Sequence, residues 1–540
     1  MQNASGNIGL NVAAGADNMQ ANNTALSHGL GVLPAGQASA SVESSQISGP
    51  FALALAADNN DTASLSNHVL QNASGNIGVN VAAGEQNMQD NTLSVATAKA
   101  VYPYSPTATT GSSVVQIANS QNGGIVAGSM DLWADNDASL SNHVLQNASG
   151  NIGVNAAAGT QNMQANNTAV ALTWSTKSGG IVNSSIASNQ NAGPLGGSIS
   201  IGGDDDAFLT NHVLQNASGN VNVNVAAGAD NMQANNLGYA YNNAGHFATS
   251  AIDNDQGTEG LYGNSARLSL TMWSNNNAYL NDKVLQNATG NVGANVAAGE
   301  WNEQANNLSI AAAAGPVAST TTATAAIADN QASNMAFYLP SVAINELGDM
   351  TASLSNHVLQ NASGNVGVNV ASGVQNVQAN NTAIALGWGT GNGDMDADNT
   401  GGPATAIITG EQSSGPYSLA IDAGSSNAAS VTNHVLQNAT GNIGANVASG
   451  TQNMQSNDLA YAFNQAGSNA SALSHVSQVS MGAIAANVPV SFYCLGNLPV
   501  TNAATVSDHV LQNASGNIGL NVAAGEANMQ RNTLSIADAD

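Results

Sequence analysis

Histidines recur in this sequence at one repeated position. Six of them precede the tripeptide Val-Leu-Gln, and Lys283 takes the same place in a seventh copy: His68, His143, His212, His357, His434 and His509. Imidazole nitrogens bind transition metals, so a row of histidines suggests a metal site. No cysteine or carboxylate accompanies all of them, however, and Lys283 would repel a cation. We therefore interpret the position as a polar connecting residue, whose protonation near pH 6–7 would loosen a stack.

Acidic residues form short runs, such as Asp-Asn-Asn-Asp at 58–61 and three aspartates at 204–206. Carboxylate oxygens are the usual ligands of calcium. The repeated Gly-Gly-x-Gly-x-Asp text of calcium-binding β-rolls is absent. We expect no metal site and no cofactor, and loose association of calcium with these acidic segments stays open as the alternative.

The sequence offers no pattern of an enzyme. The glycine-rich segment 74–84 contains no lysine to bind phosphate and precedes no helical pattern. No Gly-x-Ser-x-Gly motif and no recurring Ser/His/Asp set indicates nucleophilic catalysis. Cys494 is the single cysteine, which excludes an internal disulfide and a cysteine-rich zinc site. We expect neither catalytic nor cofactor-binding residues.

Composition excludes further classes of function. Only 7% of the residues are charged, the net charge is -27, and lysine and arginine together number five. Such a chain is not expected to bind nucleic acid or an anionic membrane surface. It contains no apolar run of about 18 residues, so we expect no membrane-spanning helix. Its first residues, MQNASGN, lack the charged and apolar segments of a signal peptide.

A strong internal repeat dominates the chain. Its pattern is Gln-Asn-x-x-Gly-Asn-(Ile/Val)-x-x-Asn-x-x-x-Gly-x-x-Asn-x-Gln-x-Asn. Its opening glutamines are Gln2, Gln71, Gln146, Gln215, Gln286, Gln360, Gln437 and Gln512. Because repeats with a period of tens of residues indicate stacked architectures, we predict a single repeat array over residues 1–540. Its strong repeats cover about 1–26, 67–96, 142–171, 211–240, 281–311, 356–385, 433–462 and 508–537.

Seven weaker half-repeats alternate with the strong ones. Each opens with a glutamine and a turn of small residues, followed by alternating apolar positions: Gln46, Gln121, Gln190, Gln256, Gln331, Gln412 and Gln478. Insertions at 27–36, 100–111 and 314–323 vary in length and carry proline or tyrosine, so we expect loops there. The fifteen half-units then predict fifteen stacked rungs.

Alternation with a period of two predicts short β-strands joined by glycine-containing arcs. A single rung cannot bury its apolar side, whereas stacked rungs bury it continuously. The fold class is therefore all-β, a β-solenoid or stacked cross-β array of two or three strands per rung. The arc glycines are Gly6, Gly75, Gly150, Gly219, Gly290, Gly364, Gly441 and Gly516.

Stacking explains the recurring amides. Equivalent side chains lie above one another, so each carboxamide donates to one neighbour and accepts from the other. We expect one column of all fifteen opening glutamines. We also expect columns of Asn7, Asn76, Asn151, Asn220, Asn291, Asn365, Asn442 and Asn517, and of Asn11, Asn80, Asn155, Asn224, Asn295, Asn369, Asn446 and Asn521. Stacked like charges repel, so we expect acids in arcs rather than strands.

The run SGNIGVNVAAG with the following Asn-x-Gln-x-Asn, residues 74–91 in one copy, resembles the repeats of Fap-type bacterial functional amyloid subunits. The resemblance implies extracellular cross-β fibres that scaffold biofilm and assemble head to tail. It also implies that the chain's main partner is itself. No Cys-x-x-Cys is present near the C-terminus, which such fibre subunits commonly carry.

We therefore expect a structural protein that self-assembles end to end into extracellular fibres at a cell surface or in a biofilm matrix. The alternative is a non-polymerising surface adhesin or stalk. Its loops at 100–111, 238–249 and 383–395 would then contact a partner or a glycan.

Overall fold

The structure, a computed structural model, is built from β-strands. It describes residues 2–31, 37–47, 51–57, 60–100, 107–117, 126–175, 181–191, 195–243, 247–257, 266–315, 322–333, 341–389, 403–414, 418–465, 469–480, 484–492 and 496–539. The predicted all-β, stacked architecture is confirmed. Within these ranges, no helix has the length and apolar character needed to cross a membrane.

One strong repeat and the weak repeat after it form one layer of five strands. The second layer consists of Ser74–Glu85, Met88–Ala100, Thr107–Ile117, Val126–Leu132 and Asp135–Ser141. Each strand pairs in parallel with its equivalent in the next layer, for example Asn76 with Asn151. Strands at the same place in successive layers therefore form five parallel sheets, which we call sheets A to E in chain order.

Sheets A and B contain eight strands each, contributed by the strong repeats. The strands of sheet A are Ser5–Ala13, Ser74–Glu85, Ser149–Thr160, Ser218–Ala229, Thr289–Glu300, Ser363–Val374, Thr440–Thr451 and Ser515–Glu526. Those of sheet B are Met19–Gly31, Met88–Ala100, Met163–Ser175, Met232–Asn242, Glu303–Gly315, Val377–Gly389, Met454–Asn464 and Met529–Ala539.

Sheets C, D and E contain seven strands each. The sheet C strands lie mostly between a strong repeat and the next weak opening glutamine, and sheets D and E follow that glutamine. Sheet C is formed by Gln37–Ile47, Thr107–Ile117, Ile181–Asn191, Phe247–Gly257, Thr322–Ser333, Ala404–Ser414 and Ala470–Ser480. Sheet D is formed by Phe51–Ala57, Val126–Leu132, Leu195–Ile201, Ala266–Met272, Ser341–Glu346, Ser418–Ala423 and Ile484–Val488. Sheet E is formed by Asn60–Ser66, Asp135–Ser141, Asp204–Thr210, Asn275–Leu280, Asp349–Leu354, Ser426–Val431 and Thr501–Val506. Val490–Phe492 and Gly496–Leu498 form a separate antiparallel pair.

The main apolar core lies between sheets A and E. Successive strand side chains point to opposite faces, so Ile77, Val79 and Val81 of sheet A share one face. They pack against Leu140 of sheet E and Leu145 of the arc that joins the two sheets. The conserved spacing of this face in every layer makes the core continuous along the stack.

The opposite face of sheet A packs on sheet B through amides, and sheet B packs on sheet C through a second apolar core. Asn91 of sheet B donates to Asn80 of sheet A at 2.8 Å. On the other side of sheet B, alanines such as Ala171 meet Val182 and Ile186 of sheet C. The order of packing across a layer is thus E, A, B, C, and sheet D carries the chain back from C to E.

The prediction that each half-repeat forms one rung is wrong. In-register partners are separated by a whole strong-plus-weak unit, as Asn7 and Asn76 are. The reason is burial, because the apolar face of sheet A is covered only by sheet E, which the weak half-repeat supplies. Eight layers at about 4.8 Å span roughly 34 Å, half the height expected from fifteen rungs.

Two local predictions are also corrected. The supposed insertions are partly strand, since sheet B continues to Gly31 and Gly315 and sheet C begins at Thr107. Acidic residues are not confined to arcs, because Asp204–Thr210 is a strand of sheet E and Asp90 is buried in sheet B. Their charge is accommodated by hydrogen bonds or by solvent on one face.

Candidate functional site

The interface between sheets A and B contains two continuous columns of asparagine that the sequence suggested. In the column from Asn7 to Asn517, each side-chain amide nitrogen donates to the amide oxygen of the preceding layer at 2.7–3.0 Å. The column from Asn11 to Asn521 has the same direction, at 2.9–3.0 Å. Both columns pass through all eight layers, so every layer is hydrogen-bonded through side chains as well as backbone.

The Asn-x-Gln-x-Asn segment, which begins just before each sheet B strand, carries three more amide columns. They follow the stacking that the recurring amides of this segment predict. Their members in the second layer are Asn87, Gln89 and Asn91. Gln89 is fully buried and donates both to Gln164 Oε1 at 2.8 Å and to the backbone oxygen of Val81 at 2.9 Å. One side chain thus ties two layers and two sheets together.

The opening glutamines form two columns rather than one. Those of the strong repeats are bonded from Gln71 to Gln512 at 2.6–2.8 Å, and Gln2 lies exposed in the turn before the first strand. Those of the weak repeats form a column in sheet C from Gln190 to Gln478, at 2.7–2.9 Å. A single column of fifteen is therefore ruled out, because the two kinds of half-repeat occupy different sheets.

One member of the predicted column is displaced. Gln121 lies outside the described residues, and the register places Gln116 opposite both Gln46 and Gln190. Gln46 itself donates to the backbone oxygen of Gln89 in the next layer at 3.0 Å. In the sequence, Asn-Gly-Gly after Gln121 matches the small residues that follow the other opening glutamines, so the sequence pattern alone favoured the wrong glutamine.

The glycines predicted to lie in arcs lie instead at the second position of each strand of sheet A. Gly75 has φ 115°, a conformation that L side chains rarely adopt. A Cβ added to Gly75 would overlap the backbone oxygen of Gly6 in the neighbouring layer. In the first layer, a Cβ added to Gly6 would meet no atom within 4 Å, because no layer of this chain precedes it.

The columns give the stack a direction. Asparagines of sheet A donate toward the first layer, whereas the Gln20 column donates toward the eighth, beginning with Gln20 to Gln89 at 2.8 Å. Cutting the stack between two layers therefore exposes the donors of the sheet A asparagines together with the acceptors of the column that contains Gln20 and Gln89 on one face. The opposite face exposes asparagine acceptors with glutamine donors, so the two faces are complementary.

Comparison with known proteins identifies this arrangement. The functional amyloid protein FapB/FapC family matches residues 1–125, 117–313, 263–414 and 343–539, which together span almost the whole chain. The chain belongs to this family. It is also 32% identical over 317 residues to "Functional amyloid subunit FapC" of Pseudomonas aeruginosa, covering 55% of this chain and 84% of that protein. No solved structure matches it.

The family assignment confirms the resemblance suggested by the strong repeats. This FapB/FapC family member is thus a functional amyloid subunit, a structural protein. The four matched segments overlap along the chain, and each includes residues of both strong and weak repeats. The family match therefore extends through the residues that form sheets C, D and E.

The histidines of this FapB/FapC chain also stack. His68, His143 and His212 have ring centroids 4.9 and 4.8 Å apart and nearly parallel planes. His357, His434 and His509 form a second stack at 4.9 Å, and Lys283 separates the two. Burial, with His143 and Lys283 nearby, lowers the pKa of His212. In the part of the chain that the structure describes, no group of three or more His, Cys, Asp or Glu side chains is arranged to hold a metal.

Buried carboxylates interrupt the amide packing between sheets B and C. Burial raises the pKa of Asp329 to about 6, although Asn254 donates to its carboxylate at 2.8 Å and Asn381 at 3.2 Å. Asn381 also donates to Asp458 at 3.1 Å, and Arg531 pairs with Asp458 at the same distance. The acids are therefore held by amides and one guanidinium instead of solvent.

Proposed function

We propose that this chain assembles end to end into amyloid-like fibres outside the cell, as a scaffold of a biofilm or cell surface. The membership in a functional amyloid family supports polymerisation, and the complementary faces of the stack support a head-to-tail contact. At such a contact the amide nitrogen of Asn7 would donate to Asn517 of the next copy, as each asparagine does within the chain. The single observation that carries the proposal is that the asparagines of sheet A donate in the same direction through every layer.

The absence of charge in the asparagine columns lowers the free-energy cost of forming the contact between two copies. An amide that gains a hydrogen-bonding partner on burial avoids a penalty of about 1–3 kcal/mol. Stacked carboxylates would instead repel by roughly 0.9 kcal/mol per pair at 4.8 Å even in water. Amide columns thus let strand edges join where charged ones would resist.

The alternative of a non-polymerising adhesin gains no support from its proposed contact loops. Residues 238–242 and 383–389 are strand residues of sheet B rather than loops. Residues 101–106, 244–246 and 390–395 lie outside the described part of the chain.

Glycines at the two faces provide the test. A Cβ on Gly6 points away from the first layer, and a Cβ on Gly525 meets no atom within 4 Å on the eighth. In a head-to-tail fibre each would overlap the backbone of the adjoining copy, as a Cβ on Gly150 overlaps Gly75 within the chain. We expect Gly6→Ala and Gly525→Ala each to remain folded by circular dichroism but to stop fibre growth.

Mixing the two variants distinguishes the loss of a head-to-tail contact from a general folding defect. Each variant keeps one intact face, so an equimolar mixture should form dimers and nothing larger, measured by analytical ultracentrifugation. Either variant alone should stay monomeric. Fibres from either variant alone, or a mixture that stays monomeric while wild-type chains polymerise, would overturn the proposal.

A further inference from the structure

An apolar stripe runs along the outer edge of sheet B, parallel to the stacking direction. It has two columns of side chains, which we name the B stripe. The first column in layers two to seven is Val95, Val170, Tyr239, Ile310, Ile384 and Tyr461, and the second is Thr97, Leu172, Tyr241, Ala312, Leu386 and Phe463. Leu26 and Ile536 continue the first column into layers one and eight.

The stripe is uncovered because sheet B extends beyond the start of sheet A. Thr24 of sheet B still reaches sheet A, where it donates to Asn7 at 2.8 Å. Leu26, two residues further along the same face, is 70% exposed. In the inner layers the residues of the first column remain partly exposed. A groove of about 320 Å³ between sheets A and B is lined by residues two positions before the first column, among them Leu308, Leu459 and Leu534.

We propose that the B stripe pairs two stacks of this chain side by side, so that the fibre contains two laterally joined stacks; this inference rests on the proposed end-to-end assembly. The stripe repeats once per layer, at about 4.8 Å. A surface that matches every layer must carry the same axial repeat, which a second stack of the same chain does. The stripe can thus pair with its own copy about a two-fold axis.

Charge favours the same partner and the same place. The chain carries a net charge of -27, so two stacks repel one another across most of their surface. None of the twelve residues of the B stripe in layers two to seven is charged. The stripe is therefore where two acidic stacks meet with least repulsion and most apolar burial.

Area explains why stacking must come first. Two columns on one face of a strand are roughly 13 Å wide and eight layers roughly 34 Å long, giving roughly 450 Å² per chain. Stable interfaces bury about 800 Å² per partner. One pair of chains thus falls short, whereas several chains joined end to end add their areas. Lateral pairing is expected only in growing fibres.

The test places charge in alternate layers. Val170→Glu, Ile310→Glu and Tyr461→Glu together put acids on the B stripe of layers three, five and seven. The matched control, Ser185→Glu, Ala326→Glu and Leu473→Glu, puts the same charge in the same layers on the outer face of sheet C. Mass per unit length is measured by dark-field scanning transmission electron microscopy.

We expect wild-type and control fibres to have twice the mass per unit length of the stripe variant, with the same axial repeat by diffraction. Wild-type fibres of single-stack mass, or a stripe variant that stays paired, would overturn the inference. If the glutamate variant forms no fibres, Val170→Thr, Ile310→Thr and Tyr461→Thr decide, since threonine suits strands. A larger fraction of single-stack fibres in the threonine variant than in the wild type would support lateral pairing. An unchanged fraction would refute it. Wild-type chains that form no fibre would instead refute the proposed function.

Discussion

At the scale of residues, stability depends on whether each buried polar atom finds a partner. The second layer departs from its neighbours, because it has Asp90 and Thr92 where the first and third layers have alanine and asparagine. Burial raises the pKa of Asp90 to about 6. Asn167 Oδ1, opposite Thr92, is buried and accepts no hydrogen bond from the described residues. The second layer thus contains a buried acid with a raised pKa, and a threonine at the position where Asn167 donates to Asn236 in the following layers.

Restoring the consensus of the neighbouring layers should stabilise the chain. Asp90→Ala with Thr92→Asn removes the buried acid and supplies a donor to Asn167. Below about pH 4 the Asp90 carboxyl is protonated in both the folded and the unfolded chain, so it does not lower the free energy of unfolding. As the pH rises through about 6, the buried carboxyl must ionise, and the folded state loses stability. We expect a gain on the order of 2–3 kcal/mol at pH 7 and little gain at pH 4, from denaturant unfolding. An equal effect at both pH values would contradict this explanation.

At the scale of elements, the side-chain columns bind strands that backbone hydrogen bonds already join. Gln71 donates to Gln146 at 2.8 Å and Gln146 to Gln215 at 2.7 Å. These side chains are half-buried in the arc between sheets E and A. The arc itself is held between layers by backbone bonds such as Asn72 N to Gln146 O at 2.8 Å. The column therefore adds stability to an arc whose course the backbone also determines.

Replacing three stacked glutamines tests this contribution. Gln71→Glu, Gln146→Glu and Gln215→Glu together remove three amide donors and stack three carboxylates. We expect a lower melting temperature at pH 7 and slower assembly, with a loss on the order of 1–3 kcal/mol. Because protonated carboxyls can donate, acidification to about pH 4 should restore most of the loss. A variant that melts like wild type at pH 7 would show that the column contributes little.

At the scale of the whole molecule, each layer contacts only its neighbours, as in other repeat proteins. Equivalent strands pair in one register through the whole array, for example Gly219 with Gly150 and with Gly290. The number of layers should therefore be changeable without altering the fold. The unit that can be removed is a whole layer, because sheets C and E cover the apolar faces of sheets B and A.

Deletions of two lengths distinguish a layer from a half-repeat. Deleting residues 218–288 removes the five strands of layer four and joins Ala217 to Thr289, a junction like the native Ala288–Thr289. We expect a folded chain with nearly unchanged melting temperature. Deleting 215–255, from one opening glutamine to the next, removes the strands of sheets A and B and most of the sheet C strand Phe247–Gly257. It leaves the sheet D and sheet E strands of that layer unmatched, so the chain should unfold or aggregate. Tolerance of the shorter deletion would restore the half-repeat as the structural unit.

The repeat pattern was enough to predict the strands, the stacking of equivalent residues and the asparagine columns of sheet A. A period of two and an identical repeat leave few other ways to bury Ile77, Val79 and Val81. It could not determine which half-repeats stack, because strong and weak halves share the same alternation and the same opening glutamine. Only tertiary packing decided this, since the apolar faces of sheets A and B need the covering strands of the weak half. The same packing separates Gln46 from Gln71 and leaves the B stripe open to solvent.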